Sequence, residues 1–211
     1  MERQKINLKK LIIFALAIFY LVGIFIHLFF RSSEFLKILT PLFLMLTSAA
    51  VFFEDRPSKK FLIWFLVGYF FTLFIEIVGV KTGLIFGPYK YGENLGIKFY
   101  GVPLVIGLNW VVLIIAAIGF VENIKTSNYL KSFFVGLIML LYDLILEIEA
   151  PELNYWFFER GEVPIQNFIS WFIISFALSY FYFHFQIKRS LVIARFNLLF
   201  QFIFFLVLLF F

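Results

Sequence analysis

The sequence predicts an all-α integral membrane protein: a polytopic bundle of about seven transmembrane helices forming a single domain over residues 1–211, N-terminus inside and C-terminus outside. Three observations carry that prediction. Hydrophobic residues make up 63% of the chain and charged residues 15%, whereas a soluble domain is about half apolar and about a quarter charged. Phe alone accounts for 34 residues, more than a water-facing surface tolerates without aggregating. The apolar runs are long enough for about 20 residues per crossing and are apolar all round, so they are helices and not the alternating strands of a membrane barrel.

The spans expected in order are Leu11–Phe30, Phe35–Phe53, Phe61–Val80, Val102–Val121, Leu130–Glu149, Phe168–Ile187 and Leu191–Phe211. The first follows Lys9 and Lys10 and imitates a signal peptide, but its apolar run is too long and no small-residue cleavage site follows it. Orientation comes from the basic residues, which are retained on the cytoplasmic side. With the N-terminus inside, Arg3, Lys5, Lys9, Lys10, Arg56, Lys59, Lys60, Lys125, Lys131, Lys188, Arg189 and Arg195 fall inside. Arg31, Lys37, Lys81, Lys90, Lys98 and Arg160 fall outside. A six-helix count, with the last pair mis-split or one segment re-entrant, is the alternative. The net charge of +5 is therefore orientation information and predicts no nucleic-acid partner. With no cysteine, disulfides, thiolate metal sites and cysteine catalysis are excluded.

Six of the twelve glycines lie from Gly79 to Gly101, in a segment that also carries Pro88, Tyr89, Tyr91, Tyr100 and Pro103. Glycines permit positive φ and close backbone approach, so this connection is expected to fold back as an ordered cap over the helix ends. Linkers are usually Ser-rich and polar instead.

Carboxylates inside apolar spans are the sharpest signal, because a charge near the bilayer centre costs several kcal/mol and is usually kept for a function. Glu76 lies in the third span; Asp143 and Glu147 lie one turn apart on one face of the fifth. Glu76 and Asp143 sit roughly 6 and 9 Å below the outer ends of their helices. Both helices run outward, so the three acids, the Gly/Tyr segment and the 150–167 loop converge on one mouth. Glu149 is read as a helix-end residue. Asn109, Trp110, Asn167 and Trp171 sit just inside the starts of spans four and six, either as interfacial belt residues and caps or as site residues. His27 and His184 lie on distant spans and are read as packing residues, which excludes a histidine-rich metal centre. The seventh span has no lysine for a retinal Schiff base, and no phosphate-binding Gly-rich loop is present.

The spacing of Glu76, Gly79, Gly83, Phe86-Gly87, Tyr89, Tyr91 and Leu95-Gly96, followed by Gly101-Val102-Pro103 and Trp110, resembles the signature of the membrane carotenoid hydratases. That family includes carotenoid 1,2-hydratases and bisanhydrobacterioruberin hydratases. A second block, Asp143, Glu147, Ala150 and Trp156, then Val163-Pro164, Asn167 and Trp171, resembles the family's acid-rich helix and the loop after it. Together the blocks cover about residues 76–171. One departure lies after Glu147: the family pattern places proline next, whereas here Ile148 follows and the proline falls at Pro151.

The resemblance implies a cofactor-independent hydro-lyase that adds water to the terminal carbon–carbon double bond of an acyclic carotenoid end group. The carotenoid lies within the bilayer and the product is a tertiary alcohol. An isolated alkene is a poor base, so hydration needs a positioned acid, a stabilised tertiary cation and a delivered water. Carboxylic acids in apolar surroundings retain their protons at neutral pH. Asp143 is the preferred acid, with Glu76 or Glu147 ionised to stabilise the cation and orient or deprotonate the water. Tyr89, Tyr91 and Trp110 are expected to face the cation, about 1–2 kcal/mol each when desolvated; Asn167 is expected to hold the water, and Asn109, Trp156 and Trp171 complete the expected set. The location expected is the inner (cytoplasmic) membrane. Two other readings stay open: a non-catalytic carotenoid- or lipid-binding protein, and a proton-coupled transporter, which the lack of acids in spans one, two, four, six and seven disfavours.

Overall fold

The computed structural model describes residues 2–30 and 34–211; Arg31, counted above among the outer charges, lies outside them. The elements in order are α1 (Glu2–Phe30), α2 (Leu36–Phe52), α3 (Lys59–Thr82), β1 (Tyr89–Tyr91), β2 (Lys98–Phe99), β3 (Val102–Pro103), α4 (Leu104–Val121), α5 (Asn128–Glu149), β4 (Trp156–Phe158), α6 (Ile165–His184) and α7 (Val192–Leu209). Among the described residues, six helices are long and apolar enough to cross a membrane. The seventh, α2, has 17 residues and an internal Pro41, and reaches roughly 26 Å, short of a hydrocarbon core of roughly 30 Å. The all-α polytopic bundle is thus present, with the second helix shorter than its companions.

Local chemistry sets the helix ends. Ser58 and Ser127 cap α3 and α5, each side chain accepting a backbone N–H three residues on. Pro103 and Pro164, in extended backbone, stand at the N-termini of α4 and α6, where a missing N–H costs nothing. Gly83, in the left-handed region at φ 66°, ends α3 and turns the chain into the cap.

Packing follows from which helices are apolar on every side. α4 is the central helix: Leu113 to Ile118 are completely buried, as expected for a helix without a polar face. α1 lies at the periphery, with Phe14, Leu21, Phe25 and Phe29 exposed on a surface suited to lipid. Gly136 lets α5 and α6 meet closely, since a Cβ there would stand 2.7 Å from the Phe172 ring.

The two long connections at one end of the bundle are built together. β1 pairs antiparallel with β4, with Tyr89 opposite Phe158 and Tyr91 opposite Trp156, while β2 and β3 form a second small hairpin. Gly92 donates its N–H to Tyr155 O at 2.8 Å, and a Cβ on Gly92 would collide with Asn154 O at 2.3 Å. The ordered cap expected from the Gly/Tyr segment is therefore a cap made of both loops.

Candidate active site

Glu76 lies on the inner-facing side of α3, two turns before the Gly83 terminus. It is buried and meets three donors. Oε1 accepts from Trp110 Nε1 of α4 at 2.7 Å; Oε2 accepts from Tyr91 Oη at 2.7 Å and from Tyr89 Oη. Strand geometry explains the paired tyrosines. Alternate residues of β1 point to opposite faces, so Tyr89 and Tyr91 are buried while Lys90 between them is exposed. Burial, and then the Glu76 carboxylate, push both phenols well above their usual range, so they persist as O–H donors. Gly79 makes the approach possible, because a Cβ one turn beyond Glu76 would stand 2.7 Å from the Phe86 ring and 3.3 Å from Tyr89 Oη.

Asp143 and Glu147 share one face of α5 and are joined by a single side chain. Asn167 Nδ2, on the first turn of α6, donates to Asp143 Oδ2 at 2.8 Å and to Glu147 Oε1 at 2.9 Å. One amide nitrogen carries two hydrogens, so both bonds are satisfied together. Glu147 Oε2 accepts from Trp156 Nε1 at 2.8 Å. Trp156 reaches it because β4 register places that residue opposite Tyr91. Asp143 Oδ1 is buried without a hydrogen-bond partner among the described residues.

Most of these groups line one small cavity. Nine of the ten residues singled out from sequence line it: Glu76, Tyr89, Tyr91, Asn109, Trp110, Glu147, Trp156, Asn167 and Trp171. Asp143 does not; it is fully buried behind the Asn167 amide. The rest of the wall is Phe86, Ile106, Leu146 and Phe158. Of these, Ile106, Leu146 and Phe158 carried no signal as apolar residues in an apolar chain. Phe158 is recognisable only once the strand register sets it opposite Tyr89. Trp110 and Trp171 pack against each other, ring centroids 4.0 Å apart and tilted at 32°. The lining contains two carboxyl groups, two Asn, seven aromatic residues, and neither Lys nor Arg. Such a wall favours a developing positive charge on an apolar ligand. The histidines are elsewhere: His27 Nδ1 lies 2.8 Å from Gly23 O with its ring edge-on to Phe204, and His184 stacks on Tyr180.

A family model described as "Carotenoid biosynthesis protein" matches residues 35–211, which takes in the whole cavity. The chain is also 30% identical over 129 residues to a bisanhydrobacterioruberin hydratase of Haloarcula japonica, an alignment covering 55% of this chain and 42% of that protein. The chain thus spans less than half the length of that relative. No solved structure matches.

Proposed function

The chain belongs to the carotenoid biosynthesis protein family, and from that premise we propose that it is a hydratase adding water to the terminal double bond of an acyclic carotenoid end group. The observation that carries the proposal is the pair of buried carboxyl groups lining one aromatic-walled cavity, with a third, Asp143, joined to one of them by the Asn167 amide, and no lysine or arginine in the lining. A family that makes carotenoids supplies the lipid substrate, and the carboxyl groups supply acid and base.

Asp143 and Glu147 act as one acid unit. Two carboxyl groups hung on a single amide in an apolar interior cannot both be charged at modest cost, so they hold one proton between them. Glu147, the member lining the cavity, delivers it to the less substituted alkene carbon. The C–H bond forms with the π electrons, leaving a tertiary cation. Glu76 has only donors as partners, which suits the carboxylate form, and its charge with the faces of Trp110, Tyr89 and Tyr91 stabilises the cation. A water held by Asn109 or Asn167 attacks the cation. Its surplus proton returns to the acid unit, so one water is added and the enzyme is restored. The three hydrogen bonds on Glu76 also hold it in position before the reaction begins.

The test is to express the chain in cells that accumulate an acyclic-ended carotenoid and to measure pigment masses. The expected result is a gain of one water per hydrated end. Unchanged masses with lycopene-, γ-carotene- and C50-type pigments, from protein shown to be in the membrane, would remove the reading.

A further inference from the structure

Resting on that hydratase reading, we infer that the long chain of the substrate lies along the seam between α3 and α6, from the carboxyl-lined cavity to a second, apolar groove at the other end of the same two helices. That groove is walled by Ile63 and Val67 of α3, by Leu178 and Phe181 of α6 and by Phe185 just after it, with Lys60 at its end. The same helices supply Glu76, Asn167 and Trp171 to the cavity.

The distances suit a linear polyene. Nine residues of α3 separate Glu76 from Val67, roughly 14 Å, and sixteen separate Glu76 from Lys60, roughly 24 Å. A carotenoid-length chain, comparable to the roughly 30 Å hydrocarbon core, reaches from one to the other with its end group in the cavity. The helices are tied at both ends of this path. Gln166 Nε2 donates to Gly83 O at 2.9 Å and Ser170 Oγ to Ile85 O at 2.6 Å near the cap, while Trp64 Nε1 donates to Leu178 O at 3.0 Å beside the groove. The groove is open to the side, since Ile63, Val67, Phe181 and Phe185 are each about half exposed; a chain dissolved in the bilayer reaches it without crossing the cap.

A third cavity, between α1, α2 and α7, does not compete for this role. None of its helices lines the carboxyl cavity.

In lipid the chain gains little from leaving an apolar solvent, so the groove acts by shape: it holds the chain so that the end group sits against Glu147. Its filling should therefore penalise long substrates selectively, because remote contacts position the reacting centre.

The experiment uses the full-length protein in lipid nanodiscs with two substrates that share the terminal alkene, an acyclic carotenoid and a two-isoprene-unit acyclic terpenoid. Val67→Trp and Ile63→Trp, each checked for an unchanged size-exclusion profile, should lower kcat/KM for the carotenoid at least tenfold relative to the short substrate. Separately, p-benzoylphenylalanine at Phe181 should crosslink to the carotenoid well above the level seen from Leu66, which faces lipid on another side of α3. A parallel loss on both substrates, no loss on either, or equal crosslinking from the two positions would overturn the seam. If the unmodified protein hydrates neither substrate, the hydratase reading falls, and the crosslinking pattern still decides whether the chain occupies the groove.

Discussion

A single buried carboxylate and a buried group of three sit at opposite ends of this bundle, and they are satisfied in opposite ways. At the end away from the cap, Glu54 follows α2 and lies against the N-terminus of α7. Its Oε1 accepts from Val192 N at 2.8 Å and Lys9 Nζ at 3.3 Å, and its Oε2 from Ile193 N at 3.0 Å. α7 has no side-chain cap of its own, so Glu54 fills the anion position that a helix N-terminus offers. At the cap end, Glu76, Asp143 and Glu147 are held by Tyr, Trp and Asn side chains, and no cation lines their cavity. A carboxylate matched to a lysine and a helix dipole has little field left to act on a ligand. One held by neutral donors keeps its charge for whatever enters beside it, at the cost of several kcal/mol of uncompensated burial.

The comparison can be broken at either end. Asp143→Asn and Glu147→Gln should each reduce hydration by about 10²–10⁴-fold while leaving thermal stability in detergent unchanged or higher, because each removes a potential buried charge. Pigment conversion and a melting curve on the same preparations check this, and full activity in Asp143→Asn would take Asp143 out of the acid unit. Glu54→Ala should do the reverse. Loss of a cap and a buried partner lowers stability by about 2 kcal/mol, and the conversion per folded molecule should stay at the unmodified level. Tyr91→Phe removes one donor to Glu76 and should cost about tenfold in rate, about 1.4 kcal/mol, with Tyr89 and Trp110 still in place.

The smallest effect expected is in alkali. Tyr89 and Tyr91 are raised in the folded protein by burial and by Glu76, whereas unfolded tyrosines titrate near pH 10. Their contribution is fully present below about pH 10 and declines as pH rises beyond it, since only the unfolded chain then loses those protons. Unfolding midpoints followed above about pH 10 should fall less steeply in Tyr91→Phe.

Much of the site was legible because its residues break the local rule. Glu76, Asp143 and Glu147 stand out of runs of Leu, Ile and Phe, and the glycines from Gly79 to Gly101 mark a chain that turns tightly. Asn109, Asn167, Trp110 and Trp171 had two readings from sequence, and the structure brings all four to the cavity wall. Phe158 and Leu146 were illegible, being apolar in an apolar chain. Glu54 drew no attention because it sits outside the apolar runs, where a carboxylate is ordinary.

What the sequence by itself determined is the solvent, the helices and the carboxyl groups: hydropathy acts residue by residue along a chain, and an acid inside an apolar run stands out whatever lies next to it in space. Tertiary structure decided the partners. That Tyr91 faces Trp156, that one Asn167 amide spans Asp143 and Glu147, and that Asp143 lies behind this amide while Glu147 lines the cavity all depend on pairing between β1 and β4 and on the crossing of α5 with α6. Such contacts join residues far apart in the chain, and they are set by packing in three dimensions, which no local pattern encodes.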